Sequence, residues 1–143
     1  MLRRLHPIAG LVAFLTILTF WTSTVASELS GSAAMIAAVK QAIPWGFLLL
    51  VPALAVTGAS GFRLAGRSAD PRIARKKQRM PFIAGNGLLI LVPAAFWLAA
   101  LASRQAFGGL FYGIQAVELV AGAINLTLMA LNIRDGLRLA NRL

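Results

Sequence analysis

The sequence predicts an all-α protein, a four-helix transmembrane bundle with N and C termini on the cytoplasmic side. Three observations carry that expectation. First, 59% of the 143 residues are hydrophobic and 13% are charged, with a mean hydropathy of +0.78. A soluble domain is nearer half apolar and a quarter charged. Second, the apolar residues gather into four stretches, each near the roughly 20 residues a helix needs to cross a ~30 Å hydrocarbon layer. In lipid such a segment must satisfy its own backbone hydrogen bonds, so helices are expected and isolated strands are not. Third, 14 Lys+Arg stand against 4 Asp+Glu, and nearly all the basic residues fall in the two terminal segments and the second connection.

The first helix is read over about residues 8–27, preceded by Arg3 and Arg4. A basic start, an apolar run and the small residues of Thr24–Ser27 also resemble a secretory signal. The run is longer than a signal's apolar region, which favours a retained helix. The second helix covers about 33–58, interrupted by Lys40 and Gln41, and the third about 81–103. The fourth covers about 107–132 and contains Glu118. Pro52 and Pro93 remove backbone donors within the second and third helices, so each is expected to bend there.

The connection at 61–80 carries Arg63, Arg67, Arg72, Arg75, Lys76, Lys77 and Arg79, and the tail carries Arg134, Arg138 and Arg142. The first connection has no Lys or Arg, and the third has only Arg104. The positive-inside rule then places both termini and the basic loop in the cytoplasm, the chain forming a single multi-pass domain of a bacterial-type inner membrane. Asp70-Pro71 signals a turn or helix start. Residues 73–78 are expected as a short amphipathic helix on the membrane surface. The loop's charge suits anionic headgroups. No aromatic residue interleaves with it, so nucleic acid is not an expected partner. Trp21, Trp97 and Tyr112 are placed as interfacial aromatics, and Trp45 as a packing residue. Gly109 and Gly113 form a GxxxG pair, and Gly85, Gly87, Ala95 and Ala99 add small faces. Such faces promote close helix contact, within the chain or in a homodimer or larger membrane complex. The segments Gly46–Ala55 and Gly87–Phe96 share a Leu-Val-Pro-Ala run, read as two similar proline kinks or a weak inverted repeat.

Chemistry-bearing residues are few. The chain has no cysteine, no phosphate-binding loop and no nucleophile elbow. Its one histidine has no nearby carboxylate in sequence, and enzymatic activity is not expected. That histidine, His6, stands at the cytoplasmic entrance of the first helix. There an imidazole serves as a haem or quinone-site ligand, or bonds headgroups and water as an interfacial side chain. Lys40 and Glu118 are charges inside apolar runs, where each costs about 2.5–3.5 kcal/mol on insertion scales. They form either a structural intramembrane polar pair or the proton or cation site of a small transporter. Lys40 can alternatively reach Glu28. Gln41, Gln115, Asn86 and Asn125 add amides to this interior.

Arg-x-x-His-Pro at residues 3–7, followed by Gly10 and an apolar helix, resembles a transmembrane helix of the formate dehydrogenase gamma and cytochrome b561-like membrane subunits. Lys40-Gln41, Trp45 and Leu54-Ala-Val-Thr-Gly58 resemble the next helix of that family. The resemblance implies a haem b bound through His6 and a role in electron transfer. The family's further histidine ligands have no counterpart between Phe82 and Ala102. A second axial ligand would therefore come from His6 of a second copy, or from Met80 or Met129 in the same leaflet. Arg3, Arg4 and Arg79 are candidates for pairing with haem propionates. The alternative is a haem-free accessory or anchor subunit of a respiratory or photosynthetic complex.

Overall fold

The computed structural model describes residues 2–66 and 70–140. Arg67 and Arg142 lie outside the described residues, as does the side chain of Arg3. The described chain is helical, with no strand among the described residues: α1 (Leu2–Ser30), α2 (Ala33–Ala65), α3 (Pro71–Asn86), a π-helical turn (Gly87–Leu91), α4 (Val92–Ser103) and α5 (Gly109–Ala140). α3, the π turn and α4 form one continuous span. Four spans are long and apolar enough to cross a membrane: Arg4–Ser30, Ala33–Ala65, Pro71–Ser103 and Gly109–Leu139.

The helices outrun the apolar stretches. The basic connection expected over 61–80 shrinks to residues 66–70, because α2 continues to Ala65 and α3 begins at Pro71. Hydropathy marks where lipid ends, but the backbone has no reason to leave the helix there. Arg, Lys, Gln and Ala are good helix formers. Asp70 starts α3 by accepting the Arg72 N–H at 2.8 Å, with Pro71 preset for the first helical position. Residues 73–78 are consequently the opening turns of the third span and not a separate surface helix. At the opposite end, Gly31 (φ +66°) closes the α1–α2 turn. Ser32 then caps α2 by accepting the Met35 N–H at 3.3 Å.

The two proline sites differ. Pro52 lies inside an uninterrupted α2. Before Pro93 the chain widens into the π turn, where the Val92 N–H reaches back to the Gly87 carbonyl. The widened turn absorbs the missing proline donor. The matching sequence runs therefore do not produce matching backbones.

Consecutive spans pack side by side and α5 returns to α1, closing a bundle. α4 packs against both α2 and α5. α3 packs against α5 and scarcely touches α2. Leu98, Ala102 and Phe111 are fully buried at the far end with Ile36 and Ala37, while Ala13, Ile17, Leu50, Ala53, Ile83 and Met129 form a second core cluster. The outward faces are apolar, as contact with lipid requires. Trp45 is among them at 75% exposure, so it faces outward and is not the packing residue expected. Trp21 instead turns inward and donates to the Leu119 carbonyl at 2.9 Å. Gly122 makes room for it, since a Cβ there would lie 3.0 Å from Trp21 Cδ1. Nothing lies within 4 Å of a Cβ placed on Gly109 or Gly113, so that pair makes no close contact within the described chain.

Candidate functional site

α1 and α2 are antiparallel, which brings the start of α1 against the end of α2, at the end of the bundle where the basic residues gather. His6 projects from α1, and its Nδ1 lies 3.1 Å from both the Thr57 carbonyl oxygen and Ser60 Oγ. Thr57 O can only accept, and the Ser60 hydroxyl already donates to the Val56 carbonyl. Nδ1 must therefore carry the proton, which leaves the lone pair on Nε2. No group among the described residues hydrogen-bonds Nε2. A histidine whose Nδ1–H is held by a backbone carbonyl presents Nε2 as a ligand in fixed orientation.

The seat for this ring is glycine. A Cβ on Gly61 would lie 3.0 Å from His6 Cε1 and 3.8 Å from Met80 Sδ, and one on Gly58 would lie 3.9 Å from Met80 Cε. His6 from α1 and Met80 from α3 therefore both pack over one bare strip of α2. The Thr-Gly-Ala-Ser-Gly run at 57–61 supplies both the acceptors and the space. Thr57 and Gly58 belong to the segment that carries the family resemblance. The parts of Ser60 and Gly61 were not legible beforehand, although a cluster of small and hydroxyl residues late in an apolar helix is the signal that marks them.

His6, Met80 and Met129 all line one cavity of about 1520 Å³. It lies where α3 departs from α2, and it exceeds the roughly 300–1,000 Å³ of ordinary small-molecule sites. Its walls are largely apolar, from Ile17, Phe47, Leu50, Leu54, Ile83 and Leu91 among others. Its polar lining groups are His6, Thr57, Asp70, Lys76 and Asn132 at the basic end, Asn125 between the ends, and Thr24 and Glu118 at the other. Met129 is buried in the core cluster, whereas Met80 is half-buried beside His6.

Lys40 and Glu118 form an ion pair between α2 and α5. Lys40 is 1% exposed and also donates to Thr24 Oγ1 at 3.2 Å. Glu28 instead accepts from Gln115 Nε2 at 2.7 Å, so the alternative Lys40–Glu28 pairing is not the one formed. Deeper in the bundle, Asn86 Nδ2 donates to Asn125 Oδ1 at 3.0 Å and to the Ala121 carbonyl at 2.8 Å, joining the third span to α5. At the basic end Arg79 donates to Asp135 Oδ2 at 2.8 Å and to Asn132 Oδ1 at 3.3 Å. Asp135 is 3% exposed, and Arg79 serves as its counter-ion through one guanidinium nitrogen. Arg4 stays exposed on the surface.

Among the described residues no cluster of three or more His, Cys, Asp or Glu is arranged to hold a metal ion by itself. The arrangement thus offers one imidazole nitrogen and one thioether sulfur beside an apolar chamber, together with a separate buried ion pair. Compared with protein-family models, curated proteins and solved structures, the chain gives no match.

Proposed function

We propose that this chain is a small cytochrome-b-like protein of a bacterial-type inner membrane that holds haem b through His6 and takes part in electron transfer, with the basic end in the cytoplasm. The observation that carries the reading is the preset His6 imidazole: Nδ1–H is held by Thr57 O, Nε2 is left with its lone pair, and Met80 lies against the same glycine strip. Haem fits these residues. Histidine with methionine is an established axial pair, and the cavity is large and apolar enough for a porphyrin. When bound, haem supplies a one-electron couple that none of the side chains has.

The chain's own part is positioning. Thr57 and Ser60 fix the imidazole plane and tautomer. Gly58 and Gly61 keep side-chain bulk away from both ligands, and the apolar walls exclude water. Met80 is favoured over Met129 as the second ligand because it is beside His6 and is not locked in the core. This ligand pair is complete within one chain, so the reading needs no histidine from a second copy.

Protein extracted mildly from its native membrane should show a b-type absorption spectrum with one haem per chain, lost in His6→Ala. Met80→Leu should keep haem but abolish the sulfur-ligated signature. One haem per two chains, with no response to Met80→Leu, would move the second ligand to the partner's histidine. A colourless native protein, or haem that survives His6→Ala, would remove the cytochrome reading in favour of the haem-free accessory subunit. Lys40 has two acceptors and almost no exposure, which supports a structural pair over a transport site.

A further inference from the structure

The cavity's basic end holds one cation that forms no ion pair within 4.0 Å among the described residues, Asp135 acting on it only from farther off. Lys76 lines the cavity, alone among the described Lys and Arg residues. Its neighbours are committed elsewhere. Arg79 is bound to Asp135 and Asn132, Lys77 Nζ donates to the Gly66 carbonyl at 2.7 Å, and Arg72 donates to the Arg138 carbonyl at 3.4 Å. Among the described residues no carboxylate lies within 4.0 Å of Lys76 Nζ. Asp70, which also lines the cavity, is engaged in capping α3. Asp135, the other acid at this end, is matched by Arg79 and by Arg134 at 3.7 Å.

The seat of Lys76 is specific. A Cβ on Gly136 would lie 3.4 Å from Lys76 Nζ, so the side chain folds inward over bare α5 backbone and does not run out to solvent. Lys76 is four residues before Met80. The two therefore share one face of α3, one turn apart, with the ammonium nearer the basic end. Asn132 lines the same end of the cavity.

An ammonium turned into an apolar chamber, one turn outside a candidate iron ligand, is placed for an acid group on the chamber's occupant. We propose that Lys76 is the carboxylate anchor of this cavity, pairing with a propionate of the haem. The inference rests on the haem reading above. It adds to the arginines a residue that the sequence showed only as part of a basic loop.

The test is reconstitution of the haem-stripped full-length protein in detergent, comparing haemin with haemin dimethyl ester, whose propionates are uncharged. A charge-assisted pair of this kind contributes about ten- to a hundredfold in affinity. Wild type should bind haemin more tightly than the ester by about that factor. Lys76→Met should lose the preference while keeping the His6-dependent spectrum, and Lys76→Arg should restore it in part. Equal affinity of wild type for the two porphyrins overturns the proposal without any variant, as does a Lys76→Met protein that still discriminates between them. In both of those cases the haem reading stands. Failure of wild type to bind either porphyrin removes the haem reading and this inference with it.

Discussion

Consider removal of one partner from the Lys40–Glu118 pair. Glu118→Gln leaves an ammonium at 1% exposure with Thr24 Oγ1 and a neutral amide as its hydrogen-bond acceptors, and the Glu28 carboxylate as the remaining charge acting on it. Stranding a buried charge typically costs about 3–5 kcal/mol, and the near-complete burial of Lys40 places this variant in that range. Lys40→Met strands the carboxylate instead. The Glu118 side chain is 12% exposed and faces the large cavity, so its stranding should cost less, about 1–3 kcal/mol. The double variant Lys40→Met/Glu118→Gln has no charge left to strand and should be more stable than the Glu118→Gln single. Reversible unfolding in mixed detergent micelles, followed by circular dichroism, gives the four free energies of the cycle. The coupling should exceed about 2 kcal/mol, well above the ~0.6 kcal/mol average of neutral interhelical hydrogen bonds in a membrane protein. Additive losses would show that the two charges do not depend on each other. A Lys40→Met protein less stable than Glu118→Gln would show that Glu118 is the more poorly solvated partner, contrary to the burial argument.

Two further outcomes follow from the packing and the charge pattern. Gly46→Ala would drive a methyl into the Phe20 ring at Cζ, and Phe20 is held edge-on against Phe47 at a 6.0 Å centroid distance. It should therefore cost about 1–3 kcal/mol, recovered in part by Phe20→Leu, and an unchanged melting temperature would mean that this contact is soft. A fluorescent reporter fused to the C terminus should light up in the cytoplasm, and alkaline phosphatase inserted after Ser30 should be active outside it; the reverse pattern would turn the basic end outward.

Much of the architecture was legible in the chain. Four apolar runs imply four helices because lipid offers the backbone no other partner, and that holds whatever the side chains do afterwards. Lys40 and Glu118 stood out because each is a charge in a run that should have none. Helix ends were less legible. Hydropathy falls where the basic residues begin, whereas Arg72 to Lys77 remain helical, started by the Asp70 cap. Two of the aromatics differ from expectation for a related reason. Trp21 and Trp45 have the same amphipathic ring, and only the neighbours decide that one finds the Leu119 carbonyl and the other faces outward.

The sequence by itself determined the helical class, the number of membrane-competent spans, the basic and non-basic ends, and the few residues able to carry chemistry. These follow from composition and period, which are properties of single segments. Tertiary structure alone decided that Nδ1 of His6 is taken by Thr57 and Ser60, that Met80 reaches the same glycines from a third helix, and that Arg79 pairs with Asp135. It also opened a cavity where α3 parts from α2 and turned Lys76 into it. Each of these joins residues some twenty to more than fifty positions apart in the chain. The interhelical distances that bring them together are set by small side chains, a π turn and a proline acting at once, and no local pattern in the sequence carries that sum.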